Sequence, residues 1–349
     1  MKPANKPKIY ILGLDKAGWS INSDHLHTKM GLEDSGCTVT RNILAADVIF
    51  SVWWNALLTK KMKIFRTVFK NKKIIATITN DLSHQEKELD QLMQIADIYV
   101  YSNSTQKNIL LNRGIQQEKL VFNPFYVDER IFKDLSMDRQ GIAQRLGIDF
   151  ESIKGKCLIG SFQRDSLGAD LTKQKWQKNP DGLIDILGQL DRSDFMLILA
   201  GPRRHYIVNR CKQESIPYLF IGNQEPLYNS IDDISINILD KHKMSLLYNL
   251  IDLYIVSSLS EGGPKAIPEA VLTRTAIISS DVGFAKDLLY GESIYTDTND
   301  AVNKIDLLMK NAEYRKRLIK ENLQKVGRYY NFDLYKARLR HIIELAISS

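Results

Sequence analysis

Residues 253–270 read LYIVSSLSEGGPKAIPEA, and this stretch joins three different local patterns. The apolar run Leu253–Ser257 predicts a strand that is buried on both faces. A loop of serines and glycines follows, and we expect a helix from about Pro264, because proline suits the first helical turn. Backbone N–H groups of the loop and the positive end of that helix would bind an anion. The carboxylates of Glu261 and Glu269 suit sugar or ribose hydroxyls better than a phosphate.

The same alternation of strand and helix extends in both directions from this stretch and forms two blocks. Short apolar runs bounded by polar residues alternate with stretches of helical composition, which predicts parallel sheets covered on both faces. The predicted strands are 8–14, 46–52, 73–79, 97–101 and 119–122 in the first block, and 156–160, 195–200, 218–221, 253–257 and 276–279 in the second. The expected fold class is α/β, with two doubly wound, Rossmann-like domains facing a central cleft.

The composition between the two blocks predicts where the domains divide. We expect a first domain over residues 1–135 and a second domain over residues 156–325. Residues 136–155 are polar and lack strand patterning, so they are interpreted as the linker. The segment 326–349 contains an amphipathic helix with no strand after it, and we expect this helix to return to the first domain.

Composition and charge exclude several classes of protein. The 349 residues are 44% apolar and 26% charged, which is typical of globular proteins, and no window approaches the roughly 18 apolar residues of a membrane span. The three cysteines are too few and too scattered for a disulfide framework, and the first residues lack a signal-peptide core, so a cytoplasmic protein is predicted. The net charge of +7 attracts polyanions in general, but no nucleic-acid-binding motif accompanies it.

Several common nucleotide and metal motifs are missing. The turn Gly13–Ser20 does not contain G-x-G-x-x-G, and Trp19-Ser20 stands where a phosphate loop needs Lys-Ser/Thr. No two aspartates are separated by a single residue, so the Asp-x-Asp clamp for a metal-bound sugar nucleotide is absent. The sequence therefore disfavours a dehydrogenase and an NTPase, and it predicts no metal site.

Around the opening stretch the chain resembles the retaining GT-B glycosyltransferases of family 4, the glycosyl transferases group 1. The resemblance rests on two glutamates separated by seven residues, Glu261 and Glu269, after a serine-rich strand end. The downstream run 276–283 looks like the following strand and glycine turn of that family. The upstream run 160–164 looks like the first strand of its second domain. The resemblance covers roughly residues 96–290 well and the first 95 residues only by architecture.

The resemblance implies a role for each matching residue. Glu261 would lie beside the donor sugar, and Glu269 would bind the ribose of the nucleotide. The other donor-binding candidates are Gly160, Ser161, Gly262, Gly263, Pro264 and Lys265.

A basic pair in that family holds the diphosphate of the donor. Arg164 matches the first position of the pair. Lys178 fits the second position best, because a lysine just before the next helix is expected there. Lys173 and Lys175 compete with it, since the connection after Arg164 is longer than usual.

The family often carries a histidine after a strand of the first domain, close to the reacting sugar. Asn80 occupies that context in this sequence. Either Asn80 or the adjacent Asp81 substitutes for the histidine, or the alignment slips and His84 serves; Asp81 is taken as the catalytic candidate.

The implied reaction moves a sugar from a nucleoside diphosphate sugar to a glycan or lipid-linked acceptor with retention of configuration. No metal would be required, and a role in cell-surface polysaccharide or glycoconjugate synthesis is implied. Two rivals stay open: a GT-B sugar-nucleotide epimerase, and a non-catalytic nucleotide- or carbohydrate-binding protein on a degenerate scaffold.

Residues 53–73 form a separate feature, a basic amphipathic segment with aromatic residues. Its lysines and Arg66 lie opposite its apolar side chains on a helical wheel. Such a helix can lie on an anionic membrane surface, which would give peripheral contact with the inner face of the membrane. A helix that packs its apolar face on the first sheet is the favoured alternative.

Overall fold

The computed structural model describes residues 6–14 and 20–348. The chain forms two compact units, one of residues 1–126 and 329–349 and the other of residues 127–328. Residues 15–19, which contain most of the turn that lacks the dinucleotide and phosphate-loop motifs, lie outside the described residues.

The first unit contains, within the described residues, a parallel sheet of six strands in the order β2-β1-β3-β4-β5-β6. Its strands are β1 (Lys8–Leu12), β2 (Thr38–Val39), β3 (Val48–Ser51), β4 (Lys73–Thr77), β5 (Ile98–Tyr101) and β6 (Leu120–Phe122). Its helices are α1 (Ser20–Asp34), α2 (Lys60–Val68), α3 (Glu86–Met93), α4 (Ser104–Asn112) and, from the end of the chain, α14 (Phe332–Ser348). The two-residue strand β2 is absent from the sequence prediction, because two residues carry no readable pattern.

The second unit contains a parallel sheet of five strands in the order β11-β10-β7-β8-β9. Its strands are β7 (Cys157–Ser161), β8 (Phe195–Ala200), β9 (Tyr218–Ile221), β10 (Leu253–Val256) and β11 (Ala276–Ser279). Its helices are α5 (Arg139–Leu146), α6 (Pro180–Gly188), α7 (His205–Gln213), α8 (Glu225–Asn229), α9 (Lys241–Leu250), α10 (Ala266–Leu272), α11 (Ala285–Leu288), α12 (Thr298–Lys310) and α13 (Ala312–Gly327). The α/β class with two parallel sheets is thus confirmed.

The strand order of the second sheet determines where a site can form. The chain moves outward from β7 through β8 to β9, then returns to the other side of β7 to form β10. Ligands of doubly wound folds bind at such a switch point, outside the carboxyl ends of the strands. The loops after Ser161 and Val256 are adjacent there, since Tyr254 pairs with Gly160 in the sheet.

The segment predicted as a linker, residues 136–155, lies in the second unit and contains the helix α5. Ile142 and Ala143 of this helix are buried. Arg139 also binds Asp252 at 2.5 Å, at the start of β10. The first compact unit ends at residue 126, before the predicted domain end at 135, because the residues after it bind α9 of the second unit: Ser245 Oγ donates to the carbonyl oxygen of Ile131, and Leu135 N–H donates to Asn249 Oδ1.

The basic amphipathic segment 53–73 is divided between a short 3-10 turn (Trp54–Leu58) and α2. Trp54, Leu57, Met62 and Phe65 are buried in the core of the first unit. Packing on the sheet therefore accounts for most of the apolar face, and membrane contact stays a prediction. Across residues 6–14 and 20–348, no helix is long and apolar enough to cross a membrane.

Candidate active site

A lysine and a glutamate meet where the loops after β7 and β10 come together. The ammonium of Lys178 contacts Oε1 of Glu261, and both side chains are largely buried, with exposed fractions of 21% and 15%. Ser258 Oγ donates a hydrogen bond to the same carboxylate oxygen at 2.8 Å. Two of the residues predicted for the site are therefore in direct contact, although they are far apart in the sequence.

Gln163 links the two loops that carry this pair. Its Nε2 donates to the carbonyl oxygen of Lys178 at 3.0 Å and to Oγ of Ser257 at 3.3 Å. Its Oε1 lies 3.2 Å from Ser258 Oγ, whose single proton is shared between Gln163 and Glu261. The sequence prediction gave Gln163 no role; its position directly before Arg164, in the loop after a buried strand, is the signal that could have identified it.

The three lysines predicted as candidates for binding the diphosphate lie in different surroundings. Lys175 is partly buried, and burial lowers its pKa to about 8, with further lowering from the charges of Lys178 and Arg164. The charge of Glu261 opposes this shift, so Lys175 faces the same cluster. Lys173 is exposed and pairs with Asp170 at 3.3 Å. Of these three candidates, Lys178 and Lys175 thus lie near Glu261.

The end of β7 is closely packed. A side chain at Gly160 would collide with Ile251 and would come within 3.0 Å of the Phe162 ring. Ser161 is buried, and its hydroxyl accepts a hydrogen bond from Nη2 of Arg204 at 3.1 Å. The hydroxyl of Ser161 is therefore used within the protein, while Arg164, three residues further on, is partly exposed.

The glycine loop after Glu261 departs from the prediction at one point. The helix α10 begins at Ala266, so Pro264 precedes the helix instead of opening it. The turn forms earlier than the helix, because Ile267 N–H donates to the carbonyl oxygen of Pro264 at 2.9 Å. Gly262 and Pro264 are buried, and Lys265 is partly exposed at the start of the turn.

Glu269 is held by a tyrosine from α9. The hydroxyl of Tyr248 donates to Oε2 of Glu269 at 3.0 Å. Burial raises the pKa of Glu269, and the hydrogen bond from Tyr248 and the charge of Lys265 oppose that rise. Tyr248 packs in turn on Phe162, with ring centroids 5.2 Å apart. Tyr248 could not be predicted from the sequence, because no local pattern connects it to Glu269.

The candidates from the first domain lie in the first unit, after the end of β4. The carboxylate of Asp81 accepts hydrogen bonds from the amide of Ser83 at 2.9 Å and from its hydroxyl at 2.6 Å. Asn80 donates to Asn55 Oδ1 at 3.2 Å, and His84 is exposed. Asp81 thus forms a local turn, and its catalytic role stays a prediction.

The chemistry available in the second unit is that of an anion site beside a carboxylate. Arg164, Lys175 and Lys178 supply positive charge, and Glu261 supplies a hydrogen-bond acceptor within the same cluster. Among the described residues, no group of three or more histidine, cysteine, aspartate or glutamate side chains is arranged to hold a metal ion.

Part of the second unit matches a known family model. Residues 172–325 match the family model described as glycosyl transferases group 1. The match includes Lys178, Glu261 and Glu269, and it begins after Arg164. No curated protein matches the chain in sequence.

Solved structures resemble the chain over nearly its whole length. HepE of Anabaena, in complex with UDP and glucose, has a TM-score of 0.73 at 13% identity and covers 97% of this chain and 100% of its own. Sucrose-phosphate synthase of Thermosynechococcus elongatus has a TM-score of 0.72 at 12% identity, with coverage of 99% and 100%. A glycosyltransferase of Rickettsia africae has a TM-score of 0.69 at 14% identity, with coverage of 99% and 100%.

These similarities define the fold of the chain. The chain has the GT-B fold, in which two α/β domains each contain a parallel sheet. Within that fold, the second unit carries the match to the glycosyl transferases group 1.

Proposed function

We propose that this protein is a retaining, metal-independent glycosyltransferase. It transfers a sugar from a nucleoside diphosphate sugar to a glycan or lipid-linked acceptor, in the synthesis of cell-surface polysaccharide or glycoconjugates. The observation that carries the proposal is the contact between Lys178 and Glu261 at the switch point of the second sheet. In the proposed site, the ammonium of Lys178 would bind a phosphate and the carboxylate of Glu261 would accept from a sugar hydroxyl.

The basic residues would stabilise the leaving diphosphate. Negative charge builds on the diphosphate as the bond to the sugar breaks, and preorganised cations lower the energy of that state most effectively. Lys178 can bind Glu261 and a phosphate oxygen together, since an ammonium has three N–H donors. Arg164 and Lys175 would supply the remaining charge, together with the backbone amides of Gly262 and Gly263.

The two glutamates would bind the hydroxyl-bearing parts of the donor. Glu261 would accept from a hydroxyl of the sugar, and Glu269, oriented by Tyr248, would accept from the ribose. The departing phosphate would help to deprotonate the acceptor, which is how retention proceeds without a protein nucleophile. HepE, which has the same fold, was crystallised with UDP and glucose, and this supports the choice of donor class.

The first experiment measures nucleoside diphosphate release from UDP- and GDP-sugars in the presence of EDTA. We expect release that persists in EDTA and falls roughly 10- to 100-fold in Glu261→Ala, the worth of one hydrogen bond to a charged group. Glu292→Ala is the matched control, because Glu292 pairs with Arg317 on the surface, away from this cluster. NMR of the product should show the anomeric configuration of the donor.

The other outcomes each contradict a part of the proposal. Release abolished by EDTA would exclude the metal-independent mechanism. An altered sugar that is still attached to its nucleotide would indicate the epimerase. UDP or GDP binding by calorimetry without release, tested over a panel of glycan and lipid-linked acceptors, would indicate a binding protein. Absence of UDP and GDP binding would show that the proposed donor site does not exist.

A further inference from the structure

An ion pair is buried beneath the loop that carries Arg164. The guanidinium of Arg204 and the carboxylate of Asp165 approach to 2.8 Å between Nε and Oδ2. Their side chains are only 1% and 2% exposed. Neither residue belongs to the donor-binding set proposed above, and both are enclosed by the protein.

The same guanidinium holds both ends of a short loop. Its Nη2 donates to the hydroxyl of Ser161, the last residue of β7, at 3.1 Å. Asp165 follows Arg164 directly, and its Oδ1 also accepts from the amide of Ile207 in α7 at 3.2 Å. The residues between the two anchors, 162–164, therefore lie on a clamped loop, and they include Gln163 and Arg164.

The backbone next to Arg204 reinforces the clamp. Arg203 adopts a left-handed conformation with φ of 57°, which is costly for a residue other than glycine. In that conformation its carbonyl oxygen accepts from the amides of Asp165 at 3.2 Å and Ser166 at 3.0 Å. The carbonyl oxygen of Asp165 accepts from the amide of Lys175 at 2.6 Å. Arg164 and Lys175 are two cations of the cluster. The backbone at both is thus held by way of Asp165.

Stability alone does not account for this arrangement. A buried ion pair often contributes no more than apolar residues of similar volume, because desolvation offsets the attraction. Nη1 of Arg204 is buried and has no hydrogen-bond partner among the described residues. An unsatisfied buried donor destabilises the folded state, because it has given up its hydrogen bonds to water. The pair therefore carries a folding cost, as is typical of residues kept for function.

We propose that Arg204 and Asp165 are positioning residues of the transfer reaction, which hold the loop 162–166 so that Arg164 is aimed at the leaving diphosphate. This inference rests on the proposed function, because it assigns a purpose to the position of Arg164. Both side chains are too deeply buried to reach a ligand, and the pair acts on the reaction through the loop that carries Arg164. Its loss should lower kcat more than it weakens UDP or GDP binding, because a mobile Arg164 can still reach a bound diphosphate but is not preorganised for the charge that develops.

The test is a double-mutant cycle between the buried pair and Arg164. Asp165→Asn with Arg204→Gln replaces the ion pair by neutral polar side chains, so that no unpaired charge stays buried. This neutral pair is combined with Arg164→Ala, and nucleotide-sugar turnover, UDP or GDP affinity and thermal unfolding are measured for all four proteins. Arg139→Gln with Asp252→Asn is the matched control, because that ion pair lies at the opposite, amino-terminal edge of the same sheet, where Asp252 accepts from the amide of Leu158.

Dependence between the two changes would support the inference. We expect Arg164→Ala to slow wild-type turnover roughly a hundredfold, but to slow the neutral-pair protein less than about threefold. In the control background, Arg164→Ala should keep its full effect. If the neutral pair does not fold, Arg204→Lys takes its place, since a lysine keeps the charge but lacks the planar guanidinium that contacts Asp165 and Ser161 through two different nitrogen atoms.

Two results would overturn the inference, and they are distinguishable. If the two changes multiply, so that Arg164→Ala has its full effect in the neutral-pair protein, the buried pair does not act through Arg164. If Arg164→Ala leaves wild-type turnover unchanged, the proposed role of Arg164 fails, and the positioning role fails with it.

Discussion

At the scale of single residues, Lys175 is notable because its ammonium has a strongly lowered pKa. It is partly buried and faces the positive charges of Lys178, Arg164 and Arg203, whereas Glu261 is the acidic residue that opposes them. Burial and these repulsions together lower its pKa to about 8. A bound diphosphate would favour the charged form of Lys175, because it brings negative charge next to the ammonium and offsets the repulsion. The protonation of Lys175 should therefore be coupled to donor binding.

We predict that UDP or GDP affinity falls as the pH rises above about 8, approaching a tenfold loss for each further pH unit. A lowered lysine pKa means that the positive charge is lost in this range, and the diphosphate loses a partner. Lys175→Arg should remove the decline, since a guanidinium stays protonated. Lys173→Arg, at an exposed lysine, should leave it unchanged. Calorimetric titration from pH 6.5 to 9.5 measures this, and an equal decline in Lys175→Arg would refute the assignment.

Other contacts of the site could not be predicted from local sequence. Gln163 meets Ser258 across 95 residues, and Tyr248 meets Glu269 across 21 residues. Such contacts depend on the order of the strands, which a sequence pattern does not contain. The resemblance supplied Lys178 and Glu261 as separate candidates, whereas their direct contact is visible only in the structure.

At the scale of elements, the apolar strands were predictable and the short connections were not. A strand of a covered parallel sheet is apolar throughout, so ten strands could be recognised by composition alone. The helix α5 has too few apolar residues to give a readable stripe. The proline at 264 predicts a helix start, whereas α10 begins two residues later. The sequence also assigns no specific role to Gly283, because its role depends on its closeness to the loop 262–264.

We predict that Gly283→Ala destabilises the protein by about 1–3 kcal/mol and weakens UDP or GDP binding. Gly283 has a φ of +53°, and a Cβ would come within 2.7 Å of Pro264 Cδ and 3.1 Å of the amide nitrogen of Gly263. The added methyl group would therefore displace the loop that follows Glu261. Gly291→Ala is the control, because no atom lies within 4 Å of its Cβ position. Thermal unfolding and calorimetry measure both effects, and equal behaviour of the two variants would contradict this role.

At the scale of the whole molecule, the two units have separate cores although the chain passes through the first unit twice. The helix α14 returns to the first unit, where Leu339, Ile342 and Ala346 are fully buried. Its apolar stripe is evident in the sequence, but the sheet that the stripe covers is not, because either sheet offers an apolar face. The second unit has its own core, which includes Ile305 of α12.

We predict that the two units unfold in separable transitions and that UDP or GDP protects only the second. Leu339→Ala should destabilise the first unit by about 2–5 kcal/mol, because it leaves a cavity under α14, and Ile305→Ala should destabilise the second by a similar amount. At a ligand concentration of 100 times the Kd, binding should add about 2.7 kcal/mol to the unit that contains the site. Differential scanning calorimetry of the three proteins, with and without nucleotide, assigns each transition to a unit.

Because Lys178, Glu261 and Glu269 all lie in residues 127–328, the nucleotide should raise the temperature of the transition that Ile305→Ala lowers. Protection of the transition that Leu339→Ala lowers would place the nucleotide in the other unit and refute the donor site.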